Sequence, residues 1–221
     1  MARPSRQLDR RLLDTGRALL AEVGCAGLSV RRLAEAADVN PGMFHYHFKS
    51  REAFLRALLQ EIYDEMFARL TVAATAGLSA RENLRAALLV VACFVRDHRR
   101  LLLRLVGDAV AGEKIAAEFL RANLPRHLKI VAALLRQATR VGELAPLPHG
   151  QLLGFTFGAV ATPLLAGAVF EAGAIDGGAA GRGLVREALT DAAIAERIEL
   201  ALAALAPPLA RSGSKKRKRN A

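Results

Sequence analysis

Side chains that can contact nucleic acid are concentrated between residues 29 and 51. The His-Tyr-His run at 45–47 supplies hydrogen-bond donors for phosphates and bases, and Lys49 supplies a positive charge suited to phosphate. Met43 offers an apolar surface of the kind that contacts a thymine methyl group, and Gly42 lets the backbone approach closely. These residue types in one short run predict a surface that binds double-stranded DNA.

Two short helices must position these side chains. Ser29 is suited to cap the first, and Asn40 followed by Pro41 is a typical start of the second. Residues 37–39 form the short link between them, and a longer amphipathic helix precedes both. These proportions are typical of a helix-turn-helix, whose second short helix enters the major groove of DNA.

The order of residues within this segment carries a resemblance to a known family. The stretch GCAGLSVRRLA at 24–34, followed by VNPGMFHYHFKSRE at 39–52, resembles the DNA-binding signature of the TetR family of bacterial transcription regulators. Two positions depart from the family pattern. His45 stands where most members have a tyrosine that hydrogen-bonds phosphate, and Gly16 stands where a small alanine is usual, which is expected to weaken the first helix slightly.

The spacing and the resemblance together imply a set of DNA-contacting residues. In chain order these are Ser29, Val30, Arg31, Asn40, Pro41, Gly42, Met43, His45, Tyr46, His47, Lys49 and Arg51. Pro41 to Met43 resemble the base-reading start of the recognition helix, whereas Lys49 and Arg51 resemble its terminal phosphate contacts. Phe44 is expected to face inward.

The composition predicts an all-α protein. Hydrophobic residues make up 52% of the 221 residues and charged residues 24%, which is typical of a globular chain. Alanine and leucine are abundant and favour helices. We therefore expect an N-terminal three-helix helix-turn-helix domain at 1–50 and a larger helical ligand-binding and dimerisation domain at 51–210, followed by a flexible basic tail at 211–221. With two cysteines 68 positions apart and no apolar leader, a cytoplasmic location is expected.

The net charge of +11 is unevenly distributed. Residues 1–60 carry a net +4, residues 61–214 only +2, and the tail residues 215–221 carry +5. The tail is suited either to add non-specific phosphate contacts or simply to keep the chain soluble. Ser50 is suited to cap the helix that follows it, and Ser79 with Glu82 forms a capping-box pattern that opens the next helix. Within 79–142, Gly107, Gly112, Pro125 and Gly142 are expected to separate helices, and two longer helices are expected at 149–171 and 183–206.

An uncharged stretch at 150–170 has the length of a membrane span. It also places small residues at a spacing of four, which lets two helices approach closely. A dimer interface made by this helix and the one expected at 183–206 is favoured over a membrane segment. Such a homodimer would present two recognition helices to a palindromic operator. The proposed interface residues are Gly150, Gly154, Gly158, Thr162 and Ala166.

The resemblance implies an unidentified small-molecule effector bound within 79–142, with the helix 50–75 as hinge. Candidate pocket residues are Cys93, His98, Arg104, Phe119, His127 and Phe155. No catalytic, metal-binding or phosphate-loop motif is present, so no cofactor, metal or enzymatic activity is expected. The leading interpretation is a dimeric, ligand-responsive repressor, and the alternatives are a ligand-independent nucleoid-type DNA binder and a membrane-associated helical protein.

Overall fold

A computed structural model describes residues 4–75, 79–173, 175 and 177–208, and every regular element in these ranges is an α-helix. The basic tail at 211–221 lies outside the described residues. The helices are α1 (Pro4–Gly27), α2 (Val30–Ala37), α3 (Pro41–Phe48), α4 (Arg51–Ala74), α5 (Ala80–Val110), α6 (Lys114–Arg140), α7 (His149–Val160), α8 (Thr162–Glu171), α9 (Gly178–Ala188) and α10 (Asp191–Ala204).

The helix starts that were predicted from capping residues are confirmed. The hydroxyl of Ser29 accepts a hydrogen bond from the backbone N–H of Arg32, and the Asn40 side chain accepts one from Gly42. Ser50 caps α4 in the same way. Ser79 and Glu82 form a reciprocal capping box at the start of α5. Each cap satisfies backbone donors that would otherwise lack partners.

The predicted breaks in the middle of the chain are partly wrong. Gly107 does not end a helix, because α5 continues to Val110, and Pro125 lies inside α6. Gly112 and Gly142 do follow helix ends, with φ values of 92° and 79°. The 183–206 helix divides into α9 and α10 at Thr190, which caps α10.

The helices enclose two neighbouring hydrophobic clusters. The first joins α1, α2 and α3 to the first half of α4, the second half of α5 and the start of α6, and it includes Leu20, Phe44, Phe54 and Leu105. The second joins the rest of α4, α5 and α6 to α7, α8 and α10. Packing therefore continues across the domain boundary expected at residue 50, since α4 contributes to both clusters.

Gly16 allows α1 and α4 to approach closely. A β-carbon at this position would lie 2.4 Å from Cζ of Phe54 and 3.1 Å from a methyl group of Leu58. Both of these side chains are buried. Only glycine fits here without moving these side chains. Its low helix propensity is therefore the cost of the close contact between α1 and α4.

The segment 25–28, which we call the bridge turn, ties the first three helices to α5 and α4. Gly24 has a φ of +70°, which interrupts α1 and frees the backbone N–H groups that follow. The Asp108 carboxylate on α5 accepts from the N–H of Cys25 at 2.5 Å and of Ala26 at 3.3 Å. On the opposite side, Arg51 donates to the carbonyls of the bridge turn, which places the turn between two charged side chains.

The uncharged stretch forms two helices rather than one. By length and composition alone, His149–Glu171 could cross a membrane, with a mean hydropathy of 1.8. The structure changes helix at Ala161, which is buried, and places Leu152, Val160 and Leu164 in the second hydrophobic cluster. Packing of one side of this stretch into the core therefore explains much of its apolar composition.

Candidate nucleic-acid interface

The recognition helix α3 is oriented by its aromatic residues. Phe44 is completely buried, and its ring centroid lies 5.5 Å from that of Phe54 and 5.8 Å from that of Phe48. Because these rings fix one face of α3 against the core, the opposite face is exposed. Met43 is 43% exposed and Tyr46 is 77% exposed, so both side chains are available to a DNA groove.

The first turn of α3 presents backbone as well as side chains. Asn40 Oδ1 accepts from the N–H of Gly42 at 2.8 Å, and Asn40, Pro41 and Gly42 are all exposed. The neighbour nearest to a β-carbon at Gly42 would be Asn40 Oδ1, at 3.2 Å. A side chain at this position would therefore crowd the Asn40 cap, whereas glycine leaves it undisturbed.

Lys49 occupies a strained backbone conformation at the end of α3. Its φ is 59° and its ψ is −48°, and the N–H of Ser50 donates to the carbonyl of Phe48 at 2.6 Å. This is a γ-turn with positive φ, a rare and strained arrangement for a residue with a side chain. The turn directs the chain from α3 into α4 and leaves the Lys49 side chain exposed.

His45 packs beside this turn. Its Nδ1 lies 3.3 Å from the carbonyl oxygen of Lys49, and a hydrogen bond there places the hydrogen on Nδ1. In the tautomer that carries its hydrogen on Nε2, the exposed ring donates to a phosphate instead. A histidine here can therefore supply a donor in place of a tyrosine hydroxyl.

The start of α2 lies beside α3 and contributes three candidate contacts. Ser29 is exposed, although its hydroxyl oxygen already accepts the capping bond, and Val30 is half-buried against the first hydrophobic cluster. The Arg31 side chain is 87% exposed and pairs with Glu35 at 2.8 Å. An exposed pair of this kind is weak and can be exchanged for a phosphate.

His47 and Arg51 serve the interior, in contrast to the sequence-based expectation. The His47 side chain is only 4% exposed, and its Nδ1 lies 2.5 Å from the Asp9 carboxylate on α1. Arg51 donates from Nε to the carbonyl of Leu28 at 2.6 Å and from Nη2 to the carbonyl of Cys25. His47 therefore holds α3 against α1, and Arg51 holds the start of α4 against the bridge turn. The sequence does not show these roles, because the partners are close in space but far apart along the chain.

Two residues important to this geometry were not identified from the sequence. Asp9 holds His47 and Asp108 holds the bridge turn, and no local pattern marks either aspartate. Gly24 supplies the positive φ that opens the turn, and glycine is the residue that most readily ends a helix in this way. Burial raises the pKa of the nearby Cys25 thiol to about 12, so this cysteine stays protonated and is not a reactive thiolate.

The six candidate effector contacts are distributed over α5, α6 and α7. His98 lines a small cavity of about 90 Å³ between α4 and α5. Phe119 and His127 surround Tyr63, whose hydroxyl donates to the carbonyl of Asn123 at 2.9 Å.

The other three candidates lie elsewhere. Cys93 is half-buried on α5, Arg104 is exposed on the same helix, and Phe155 is 45% exposed on α7. A pocket that brings these residues together stays a prediction.

The small-residue ridge is largely open. A β-carbon at Gly150, Gly154 or Gly158 would meet nothing within 4 Å. Thr162 is exposed and Ala166 is half-buried, so the ridge continues with less exposure onto α8. The ridge is accordingly a surface of α7 and α8 rather than part of the core.

Comparisons with known proteins agree with this arrangement. The family model described as "Bacterial regulatory proteins, tetR family" matches residues 12–58. The HTH-type transcriptional regulator UidR of Escherichia coli strain K12 is 22% identical over 165 residues, covering 72% of this chain and 82% of UidR. The HTH-type transcriptional repressor KstR2 of Rhodococcus jostii is 33% identical over 75 residues, covering 34% of this chain and 37% of that repressor.

The fold is shared with solved structures. The ketosteroid transcriptional regulator KstR2 of Mycobacterium tuberculosis superposes with a TM-score of 0.64 and 18% identity. The superposition covers 90% of this chain and 95% of that one. At this level of identity the likeness concerns the arrangement of helices.

Proposed function

From these similarities we propose that the chain is a transcription regulator of the TetR family, a cytoplasmic, ligand-responsive repressor that binds a palindromic operator as a homodimer. The observation that carries the proposal is the exposed N-terminal face of α3, where Met43 and Tyr46 project opposite the buried Phe44. A helix held in this way inserts its first turn into the major groove of DNA.

Base reading is assigned to residues 40–43 of α3. The exposed Met43 side chain is suited to a thymine methyl group, and the exposed Gly42, which has no side chain, permits close approach of a base edge or sugar. Asn40 keeps its amide nitrogen available, because its oxygen forms the cap. This part of the interface is proposed to determine which sequence is bound.

Phosphate binding is assigned to a surrounding group of polar side chains. These are Ser29, Arg31, His45, Tyr46 and Lys49, all of which are exposed. Such contacts fix the register of the protein on DNA without reading its sequence. The interior positions of His47 and Arg51 favour an indirect role for both, which is to hold α3 at the correct angle.

Selection of bound sequences from a random duplex pool tests the proposal. We expect a palindrome whose half-sites are spaced by about one helical turn, roughly 34–36 Å. Met43→Ala is expected to lower the affinity for the selected sequence, with roughly 1–3 kcal/mol of discrimination lost at one base position. The matched control is Val72→Ala, which alters another exposed apolar side chain on α4 and should bind like the parent protein.

The same experiment separates the two DNA-binding hypotheses. Binding with no sequence preference, and no effect of Met43→Ala beyond that of Val72→Ala, would refute a sequence-specific regulator. That result would favour the nucleoid-type alternative. A selected palindrome supports a sequence-specific regulator that binds as a dimer.

Dimerisation is proposed to use the ridge on α7 and α8. The open glycines at 150, 154 and 158 are accompanied by Phe155 and Phe157, which are 45% and 48% exposed. Small residues beside exposed aromatic rings allow close approach with substantial apolar burial. A two-fold axis here would make the same surface of each protomer face its partner.

A charged substitution on the ridge tests the interface. Gly154→Arg should give a monomer in analytical ultracentrifugation with an unchanged circular dichroism spectrum, because the added side chain has open space in the protomer. Gly107→Arg is the control, since Gly107 is equally open but lies on α5. Dimers that persist in Gly154→Arg, or monomers in both variants, would contradict this interface.

A further inference from the structure

A cleft of about 500 Å³ lies where α8 and α9 meet α5. It is distinct from the pocket predicted within 79–142, because α9 lines one side and the end of α8 lines another. Its volume is within the usual range for small-molecule sites, roughly 300–1,000 Å³.

Glycines on α8 and α9 create the close helix contact that shapes the cleft. A β-carbon at Gly167 would lie 3.3 Å from Val185 and 3.6 Å from Leu189. Gly181 similarly lies under the Phe170 ring, at 3.6 Å from a β-carbon built on it. Because α9 packs so closely on α8, the apolar side chains at 170, 185 and 189 form a continuous floor.

Arginine side chains line the cleft beside this floor. Arg182 and Arg186 are four residues apart on α9 and alternate with Val185 and with Leu189, which caps the end of the helix, so all four lie on one side. Both arginines are exposed, and no ion pair or hydrogen bond joins either of them to another described residue. Their charges are therefore available to an anion.

The cleft already contains one carboxylate held by an arginine. Glu171 binds Arg99 through both oxygens, with Nε to Oε2 at 3.0 Å and Nη2 to Oε1 at 2.6 Å. This two-point geometry is the one that guanidinium groups form with carboxylates. The unpaired Arg182 and Arg186 can form the same type of contact with a carboxylate. The cleft is lined by three arginines but only one acidic side chain, Glu171.

We propose that this cleft binds a small amphipathic carboxylate. The carboxylate pairs with Arg182 and Arg186, and an aliphatic body lies on Phe170, Val185 and Leu189. A free carboxylate at this position also competes with Glu171 for Arg99. The effect of the ligand on DNA rests on the proposed repressor function, whereas binding to the cleft does not.

Decanoate is the probe for this site, and uncharged 1-decanol, which has the same chain length, is the comparison compound. Both are titrated calorimetrically into the purified full-length protein below their aggregation concentrations. Loss of two charge-assisted hydrogen bonds should weaken decanoate binding roughly tenfold or more in the Arg182→Gln/Arg186→Gln variant. Arg136→Gln, at an exposed arginine of α6 outside the cleft, should bind decanoate like the parent protein.

The outcomes separate the cleft from the DNA-binding function. No decanoate binding, or equal affinity in the parent and the double arginine variant, would overturn the cleft site. Equal affinity for decanoate and 1-decanol would also overturn it, because the carboxylate would then contribute nothing. Operator binding of the unliganded protein is measured in parallel, and its failure would refute the repressor function while a charge-dependent decanoate site would still stand.

Discussion

Substitution of Lys49 by glycine should stabilise the protein and weaken its binding to DNA. The φ of 59° and ψ of −48° at Lys49 belong to a strained γ-turn, and strain of this type costs about 1–3 kcal/mol in a residue with a side chain. Glycine removes most of that cost but gives the unfolded chain more freedom, which returns about 0.4–1 kcal/mol. We therefore expect Lys49→Gly to gain about 1 kcal/mol in the free energy of unfolding, equivalent to about 2–4 °C in Tm for a chain of this size.

Two companion variants separate the strain from the charge. Lys49→Ala removes the charge but keeps the strained backbone, so its stability should match the parent protein while its DNA affinity falls as in Lys49→Gly. Lys49→Arg should keep both properties. For the phosphate contact, the slope of log K against log salt should become less steep by about 0.9 per lost contact in the glycine and alanine variants.

The measurements are urea denaturation for stability and fluorescence anisotropy with a labelled duplex at several salt concentrations. If Lys49→Gly is no more stable than Lys49→Ala, the strain is not stored at this position and the reasoning fails. If both variants retain the parent salt slope, Lys49 does not contact phosphate. A lysine that is unfavourable for folding but required for DNA binding is the expected result.

Other contacts lead to further predictions. Arg51→Lys should lower the free energy of unfolding by about 1–3 kcal/mol in urea denaturation, because lysine cannot reproduce the two-point donation to the bridge turn. An unchanged urea midpoint would show that Arg51 does not stabilise this turn. Asp108→Asn should lose a similar amount, about 1–3 kcal/mol, since an amide replaces a carboxylate that accepts two backbone N–H groups. Burial lowers the pKa of His98 and of His127 below the usual value of about 6.5. The unfolded chain therefore binds more protons as pH falls through that region, so the Tm should drop from pH 7.5 to 5.5, and the drop should shrink in the doubly substituted His98→Asn/His127→Asn protein.

The helix starts could be predicted because their signals are local. Ser29, Asn40, Ser50 and Ser79 each satisfy backbone donors two or three residues ahead, so the sequence near the cap contains all the necessary information. Gly107 and Pro125 were misjudged for the opposite reason. Side chains on either side of them pack into the core, as Leu105 does, and this packing outweighs an unfavourable local propensity.

The candidate site shows the same division. The exposed face of α3 follows from Phe44 and Phe48, which are four residues apart and point inward. The roles of His47 and Arg51 depend on Asp9 and on the bridge turn, whose positions become apparent only after α1 folds back on α3 and α4. Residue type alone does not distinguish an arginine that binds phosphate from one that holds two carbonyl groups.

The second half of α5 connects the cleft to the recognition helices. This helix is interrupted at His98, and the segment that follows begins with Arg99 in the cleft and reaches Asp108 at the bridge turn nine residues later, about 14 Å along the axis. A ligand alters operator affinity only through its different affinity for two arrangements of the protein, so α5 provides a route in addition to the hinge expected in α4. Asp108→Asn should therefore bind decanoate with parent affinity but show a smaller decrease in operator affinity when decanoate is added, as measured by anisotropy. An undiminished decrease would show that the effect of the ligand reaches the DNA-binding helices without Asp108.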